Sequence, residues 1–91
     1  MSKNIEMLDF FASWCGPCRI MKPVIADIEK EYGDKIIIKK IDIDENQEIA
    51  SKYNVMSIPT ILIIKDGQVI NQLVGAQPKA TIVDAIESAL K

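Results

Sequence analysis

The sequence predicts an α/β domain with three layers (α/β/α), in which three helices flank a mixed four-stranded sheet. The 91 residues of the chain are enough for one hydrophobic core, so we expect a single domain over residues 1–91. Apolar segments alternate between β-type runs and helical spacing in the order β-α-β-α-β-β-α. A helix separates the first two strands, which favours a right-handed parallel crossover. Two residues separate the last two strands, which favours an antiparallel hairpin.

The first strand and the first helix are predicted from the spacing of their apolar residues. Residues 5–12 read I-E-M-L-D-F-F-A, a mainly apolar strand that contains two carboxylates, Glu6 near its start and Asp9 between Leu8 and Phe10. The next helix begins at two cysteines, and its apolar residues recur three or four positions apart: Met21, Val24, Ile25, Ile28 and Tyr32. We expect the helix to end at Gly33, with this glycine in the left-handed conformation.

The middle of the chain predicts a second strand and a short helix. Residues 36–42 are rich in β-branched side chains, which is typical of a strand. Asp44 followed by Gln47 has the spacing of a capping box, which opens a helix. That helix carries Ile49, Ala50 and Tyr53, and we expect it to end at Asn54, a residue type tolerated in the left-handed region.

The last part of the chain predicts a hairpin followed by a helix. Residues 60–65 and 68–74 are strands joined by Asp66-Gly67, a pair favoured in two-residue hairpin turns. The final helix begins near Pro78 and has four apolar residues on one face: Ile82, Val83, Ile86 and Leu90.

Composition and charge exclude several classes of protein. Hydrophobic residues make up 48% of the chain, which is too many for a disordered polar segment. The net charge is −2 and basic residues form no stripe, so we expect no nucleic-acid partner. No apolar run approaches the roughly 18–20 residues that span a bilayer, and residues 1–4 contain no signal-peptide pattern. We therefore expect a cytoplasmic protein without a membrane partner.

Cys15 and Cys18 have the C-x-x-C spacing and lie where the first helix begins. Unpaired N–H groups and the positive end of the helix dipole favour an anion there, so they lower the pKa of a thiol and make thiolate available. Cys15 comes first, where side chains are expected to be accessible, and is interpreted as the attacking thiol; Cys18, one turn further, would resolve the mixed disulfide. Two alternatives are a buried, inert pair and a Cys₄ zinc site shared by two chains. With two cysteines and no histidine, one chain cannot complete such a zinc site.

The sequence resembles the thioredoxin family over nearly its whole length. The matching segments, in order, are Asp9-Phe10-Phe11-Ala12, Trp14-Cys15-Gly16-Pro17-Cys18, Pro23, Lys40-Ile41-Asp42-Ile43-Asp44, Ser57-Ile58-Pro59-Thr60, Lys65-Asp66-Gly67 and Val74-Gly75-Ala76. A C-x-x-C alone would be weak evidence, whereas this ordered set is specific. One departure is that only about four residues precede the first strand, so the family's usual first strand and helix are expected to be missing. Residues 36–41 would then lie at an open sheet edge, protected by Lys39 and Lys40.

The resemblance implies a thioredoxin-like fold and a thiol-disulfide oxidoreductase that reduces disulfides in other proteins through a reversible Cys15-Cys18 disulfide. Strongly oxidising relatives commonly have a histidine between the cysteines, whereas Gly16-Pro17 stands here, which favours a reductant. In the family, the residue matching Asp9 lies beneath the cysteines and relays a proton, with the residue matching Lys40 nearby. The alternative for Asp9 is a solvent-facing position at a strand end.

The resemblance also implies a substrate-binding surface. In the family, the bond matching Ile58-Pro59 is cis, and the residue before the proline offers its backbone to an extended substrate segment. The expected apolar surface around Cys15 consists of Trp14, Gly16, Pro17, Ile58, Val74, Gly75 and Ala76, and Pro59 is also expected among the substrate-binding residues. For Trp14, the alternative is a residue of the hydrophobic core.

The implied partners are a thioredoxin reductase, dependent either on NADPH and flavin or on ferredoxin, and client proteins that contain disulfides. We expect a monomer with no organic cofactor and no metal. Two other function classes stay open: a binding module that recruits a partner through the same surface, and a redox carrier for one enzyme, such as a peroxidase or a reductive biosynthetic enzyme.

Overall fold

The elements follow the predicted order along the chain. The structure is a computed structural model that describes residues 4–91, so the expectation about a signal peptide lies partly outside the described residues, at residues 1–3. Residues 4–91 form four strands and three helices: β1 (Ile5–Phe11), α1 (Gly16–Tyr32), β2 (Ile37–Asp42), α2 (Gln47–Lys52), β3 (Thr60–Lys65), β4 (Gln68–Val74) and α3 (Lys79–Leu90). The first two strands are each one residue shorter than predicted.

The four strands form one mixed sheet in the order β2-β1-β3-β4. β1 is parallel to β2 and antiparallel to β3, and β3 and β4 form the predicted antiparallel hairpin. Within the described residues, β2 lies at one edge of the sheet, as expected. The register places Asp9 of β1 opposite Lys40 of β2 and Ile61 of β3. The central position of β1 brings its carboxyl end, and the cysteines that follow it, to the middle of one end of the sheet.

Both faces of the sheet are covered, which produces the α/β/α layers. On one face, the side chains of Ile5, Met7, Ile61 and Ile63 pack with α1 and α3. On the other face, Leu8, Phe10, Ile41, Leu62 and Ile64 pack with Ala50, Tyr53 and Val55 around α2. Fully burying each large apolar side chain contributes about 1.5–3 kcal/mol. Since side chains alternate along a strand, Asp9 belongs with Ile5 and Met7 and faces α1.

Two predicted turn conformations are confirmed. Asp66 and Gly67 both have positive φ values, 52° and 80°, as a type I′ hairpin turn requires. Asn54 follows α2 with a φ of 56°, in the left-handed region.

Two predicted helix ends are wrong. Gly33 has a φ of −61° instead of a positive value, because its N–H still donates to the Glu29 carbonyl at 2.8 Å and the helical turn continues. A Cβ at Gly33 would lie 2.5 Å from that carbonyl oxygen, so close backbone approach is what favours glycine there. The capping box of Asp44 and Gln47 does not form, since α2 begins after Asn46 without a side-chain cap. The Asp44 carboxylate has a different partner, described below.

Candidate active site

Cys15 is the N-cap residue of α1 and forms a disulfide with Cys18. Its backbone is extended (φ −86°, ψ 114°), and its Sγ accepts a hydrogen bond from the Cys18 N–H at 3.2 Å. Gly16 and Pro17 are the first two helical residues, and the proline has no N–H to leave unpaired. A thiolate on Cys15 would therefore lie at the positive end of the helix dipole, with a backbone donor already aimed at its sulfur.

The expected accessibility of Cys15 is wrong for this oxidised structure. Cys15 is 5% exposed and Cys18 is 7% exposed, so exposure does not distinguish the two cysteines. The reason is packing: both belong to a small buried cluster with Ala12, against which Ile43 and Ile58 pack. What distinguishes the cysteines is position, because Cys15 caps the helix whereas Cys18 lies inside it and faces a cavity.

This cavity has a volume of about 600 Å³ and lies between α1 and the edge of the sheet. It is lined by Cys18 and by the side chains of Asp9, Lys40 and Glu29, together with Arg19, Lys22 and mostly small or apolar residues of α1 and β1. The family resemblance implied that Asp9 and Lys40 lie near the cysteines, and the structure brings both to one cavity with Cys18.

Asp9 is buried, as predicted, and the alternative of a solvent-facing position is wrong. The residue is only 7% exposed, in the middle of the central strand. Burial raises the pKa of its carboxyl from 3.8 to about 6, the Lys40 ammonium partly opposes this rise, and the Glu29 carboxylate adds to it. A carboxyl group with this pKa can gain or lose a proton near neutral pH.

Lys40 has a partner that the sequence analysis missed. Its Nζ lies 3.2 Å from Oε1 of Glu29, so the ion pair joins β2 to α1 instead of joining Lys40 to Asp9. The spacing of residues in the first helix could have indicated that Glu29 lies near the site. Glu29 follows Cys18 by eleven residues, about three helical turns, which places both side chains on the same side of α1.

Trp14 directly precedes Cys15 and is 63% exposed, so the alternative of a core aromatic is wrong. Its indole Nε1 donates a hydrogen bond to Oδ2 of Asp44 at 2.8 Å. This is the partner that Asp44 takes in place of the helix cap, and the sequence analysis missed this contact as well. The bond holds an apolar ring at the surface beside Gly16 and Pro17, which are both exposed.

The Ile58-Pro59 bond is cis, as the family resemblance implied. Ile58 is partly buried against the cysteine cluster, whereas Pro59 is buried and its carbonyl accepts the Gly75 N–H at 2.8 Å. Gly75 has a φ of 86°, a conformation that glycine adopts without strain. Val74 and Ala76 on either side of it are exposed. The turn at Gly75 is thereby fixed to the loop that packs on the cysteines.

Two further properties concern the part of the chain that is described. Among residues 4–91, no three His, Cys, Asp or Glu side chains are grouped so that they could hold a metal ion. None of the helices formed by these residues is long and apolar enough to cross a membrane.

Comparisons with known proteins agree with this geometry. The family model described as Thioredoxin matches residues 1–88. The thioredoxin of Bacillus subtilis (strain 168) is 48% identical over 89 residues, which cover 98% of this chain and 86% of that protein. A thioredoxin variant from Halobacterium salinarum NRC-1 superposes with a TM-score of 0.90 at 36% identity, covering 98% of this chain and 77% of its own.

A third similar chain comes from a structure described as the basis of the thiol resolving mechanism in yeast mitochondrial 1-Cys peroxiredoxin via glutathione/thioredoxin systems. It has a TM-score of 0.86 and 32% identity, and the match covers 94% of this chain and 79% of that one. The match of the family model to nearly the whole chain, together with the helix-capping cysteine pair, shows that this protein belongs to the thioredoxin family and is a thiol-disulfide oxidoreductase.

Proposed function

We propose that this protein works mainly as a reductant of disulfides in other proteins, with Cys15 as the attacking thiol and Cys18 as the resolving thiol. The observation that supports this assignment best is the helix cap. Cys15 Sγ accepts the Cys18 N–H at the start of α1, an arrangement that stabilises a thiolate on Cys15. The residue order Gly16-Pro17, without a histidine between the cysteines, favours reduction over oxidation.

The exchange takes place in two steps. The Cys15 thiolate attacks one sulfur of the client disulfide, which forms a Cys15-client disulfide and releases the other client sulfur as a thiolate. The Cys18 thiolate then attacks Cys15 Sγ, which forms the Cys15-Cys18 disulfide and releases the second client sulfur. Two electrons pass to the client, its thiolates take up two protons, and this protein is left oxidised.

Asp9 is proposed to exchange the proton that Cys18 must lose before the second step. Support comes from position and chemistry: Asp9 and Cys18 line the same cavity, and the Asp9 pKa of about 6 suits proton exchange near neutral pH. Lys40, which lines the cavity too, moderates that pKa by its charge. If Asp9 has this role, Asp9→Asn slows resolution of the mixed disulfide more than it slows its formation, which rapid-quench kinetics can separate.

The proposed substrate surface consists of Trp14, Gly16, Pro17, Ile58, Val74, Gly75 and Ala76, with Pro59 beneath it. Exposed apolar groups around a nearly covered disulfide suit an extended segment of a client protein that exchanges backbone hydrogen bonds with residue 58. Because Pro59 is buried and binds Gly75, it is proposed to position this surface and not to contact the client.

The proposal includes partners and setting. A thioredoxin reductase, using NADPH and flavin or ferredoxin, would return Cys15 and Cys18 to the dithiol. The protein is proposed to act as a monomeric single domain in the cytoplasm, where thiols are kept reduced and a C-x-x-C pair is more useful as a catalyst than as a structural bridge.

A second candidate is a redox carrier for one enzyme of the peroxidase type. The observation that favours it is the similarity to the chain from the yeast peroxiredoxin structure described above. Such a carrier would use the same cysteines but would transfer electrons poorly to unrelated proteins.

Reduction of insulin disulfides by dithiothreitol tests the proposal. We expect the wild type to accelerate precipitation of the insulin B chain, and Cys15→Ser to give only the rate of dithiothreitol alone. A wild type without activity on insulin that still supplies electrons to a peroxidase would favour the dedicated carrier. A wild type inactive in both assays would favour a binding module and contradict the proposal.

A further inference from the structure

Glu29 and Lys40 form an ion pair at the cavity that Asp9 also lines. The Lys40 Nζ lies 3.2 Å from Glu29 Oε1, and all three side chains line the cavity that Cys18 also faces. Lys40 is the register partner of Asp9 across the parallel β1-β2 pair, so its backbone already places it next to the buried carboxyl. The ammonium could therefore pair with either of two carboxylates.

The ammonium pairs with the more exposed carboxylate. The ion pairs formed by residues 4–91 join Lys39 to Glu6, Lys40 to Glu29 and Lys79 to Glu31, and none includes Asp9. The Glu29 and Lys40 side chains are 38% and 53% exposed. An ion pair with this exposure contributes little to stability. We therefore look for the role of the Glu29-Lys40 ion pair in its effect on Asp9, the buried titratable group at the same cavity, and not in its contribution to stability.

We propose that Glu29 is a positioning residue that holds the Lys40 ammonium away from Asp9, so that Asp9 stays able to take up a proton beside Cys18. This inference rests on the proton-exchange role proposed above for Asp9. Without Glu29, Asp9 would be the remaining carboxylate among the described residues that line the cavity with Lys40, and a direct ion pair would favour the ionised form of Asp9.

The effects of the neighbouring charges on the pKa of Asp9 have the directions that this proposal requires. Burial raises the pKa of Asp9, Lys40 lowers it and Glu29 raises it. The other charged groups that line the cavity are Arg19 and Lys22, both cations on α1. Besides Asp9 itself, Glu29 is thus the single anion among the described residues that line this cavity, and its charge opposes the effect of Lys40 on the pKa of Asp9.

The test is a carboxyl NMR titration of Asp9 in the oxidised wild type and in Glu29→Gln. We expect the variant to lower the pKa of Asp9 by about 0.5 unit or more, since a repelling charge is removed and Lys40 is freed. The matched control is Glu31→Gln, which removes the same charge from the same helix, but at a residue that pairs with Lys79 away from the cavity. A pKa of Asp9 that is unchanged or raised in Glu29→Gln, or lowered equally in the control, would overturn the proposal.

A double-mutant cycle with Lys40→Gln tests whether Glu29 acts through Lys40. We expect the Glu29→Gln shift to become clearly smaller when Lys40 is absent. A shift of the same size in both backgrounds would mean that Glu29 acts only by direct repulsion, which contradicts a positioning role.

The pH dependence of client reduction separates this inference from the role of Asp9. We expect the rise of the rate with pH to move to lower pH in Glu29→Gln, by the same amount as the pKa of Asp9. A shifted pKa with an unshifted rate profile would support the position of Glu29 and overturn the proton-exchange role of Asp9.

Discussion

Replacing Asp9 by Asn removes a buried titratable group while it keeps the shape and polarity of the side chain. The folded state holds the pKa of this carboxyl at about 6, mainly through burial, against 3.8 for an exposed aspartate. Well below pH 3.8 the carboxyl is protonated in both the folded and the unfolded chain, so it makes no difference to the unfolding free energy. As the pH rises from about 4 through 6, the unfolded chain ionises first, so the wild type loses stability over this window.

The size of the loss follows from the two pKa values. They differ by about 2 units, and at 1.36 kcal/mol per unit the complete titration corresponds to about 3 kcal/mol of unfolding free energy, most of which is lost between pH 4 and pH 8. Asp9→Asn does not titrate and avoids this loss. We therefore expect the variant to be more stable than the wild type above pH 7, by about 1–3 kcal/mol after allowance for its own buried amide.

Urea denaturation of oxidised wild type and Asp9→Asn at pH 4, 5, 6, 7 and 8 measures this difference. The oxidised form is used so that the cysteines do not titrate. Asp84→Asn is the matched control, since it makes the same substitution at an exposed residue of α3. We expect its difference from the wild type to vary by less than about 0.5 kcal/mol over the same range.

The reasoning would be refuted by a stability advantage of Asp9→Asn that is constant with pH or largest at pH 4. Either result would mean that the folded chain does not hold the Asp9 carboxyl above its usual pKa. If the stability advantage of Asp84→Asn over the wild type increased with pH as much as that of Asp9→Asn, the effect would come from net charge and not from burial.

Three further outcomes are expected. Cys18→Ser should accumulate a mixed disulfide with a client protein on Cys15, whereas Cys15→Ser should form none; mass spectrometry that finds adducts on Cys18 in the latter would reverse the assignment. Asp44→Ala should free the indole of Trp14, the single tryptophan, and speed the decay of its fluorescence anisotropy, whereas an unchanged decay would show that the hydrogen bond does not hold the ring. Gly67→Ala should lower the unfolding free energy by about 1 kcal/mol because its φ is 80°, and an unchanged urea midpoint would contradict this.

Features that depend on local sequence were predicted well. The hairpin at Asp66-Gly67 and the helix beginning at the cysteines follow from neighbouring residues, which determine turn type and helix start. Burial of Asp9 was implied by the family resemblance, in which the matching residue lies beneath the cysteines, and Asp9 is buried in the structure.

Features that depend on contacts through space were missed. Asp44 was interpreted as a helix cap because its spacing to Gln47 suited one, but Trp14, distant in sequence, takes its carboxylate. Glu29 was not singled out, since its importance comes from β2, which brings Lys40 against α1. Cys15 was expected to be accessible, but residues 43 and 58 pack over the disulfide cluster. In each case a second chain segment, absent from any local pattern, determines the outcome.

A single-turnover thiol count tests the central claim most directly, namely that Cys15 and Cys18 pass one pair of electrons to a protein disulfide. Under anaerobic conditions, the reduced protein is mixed with an excess of a client protein that contains a disulfide. The reaction is quenched in acid, free thiols are alkylated, and the mass of each chain is measured by mass spectrometry. We expect each chain to lose two alkylatable thiols while the client gains two. Client thiols that appear while Cys15 and Cys18 stay reduced, or a chain that oxidises without any gain of client thiols, would contradict the claim.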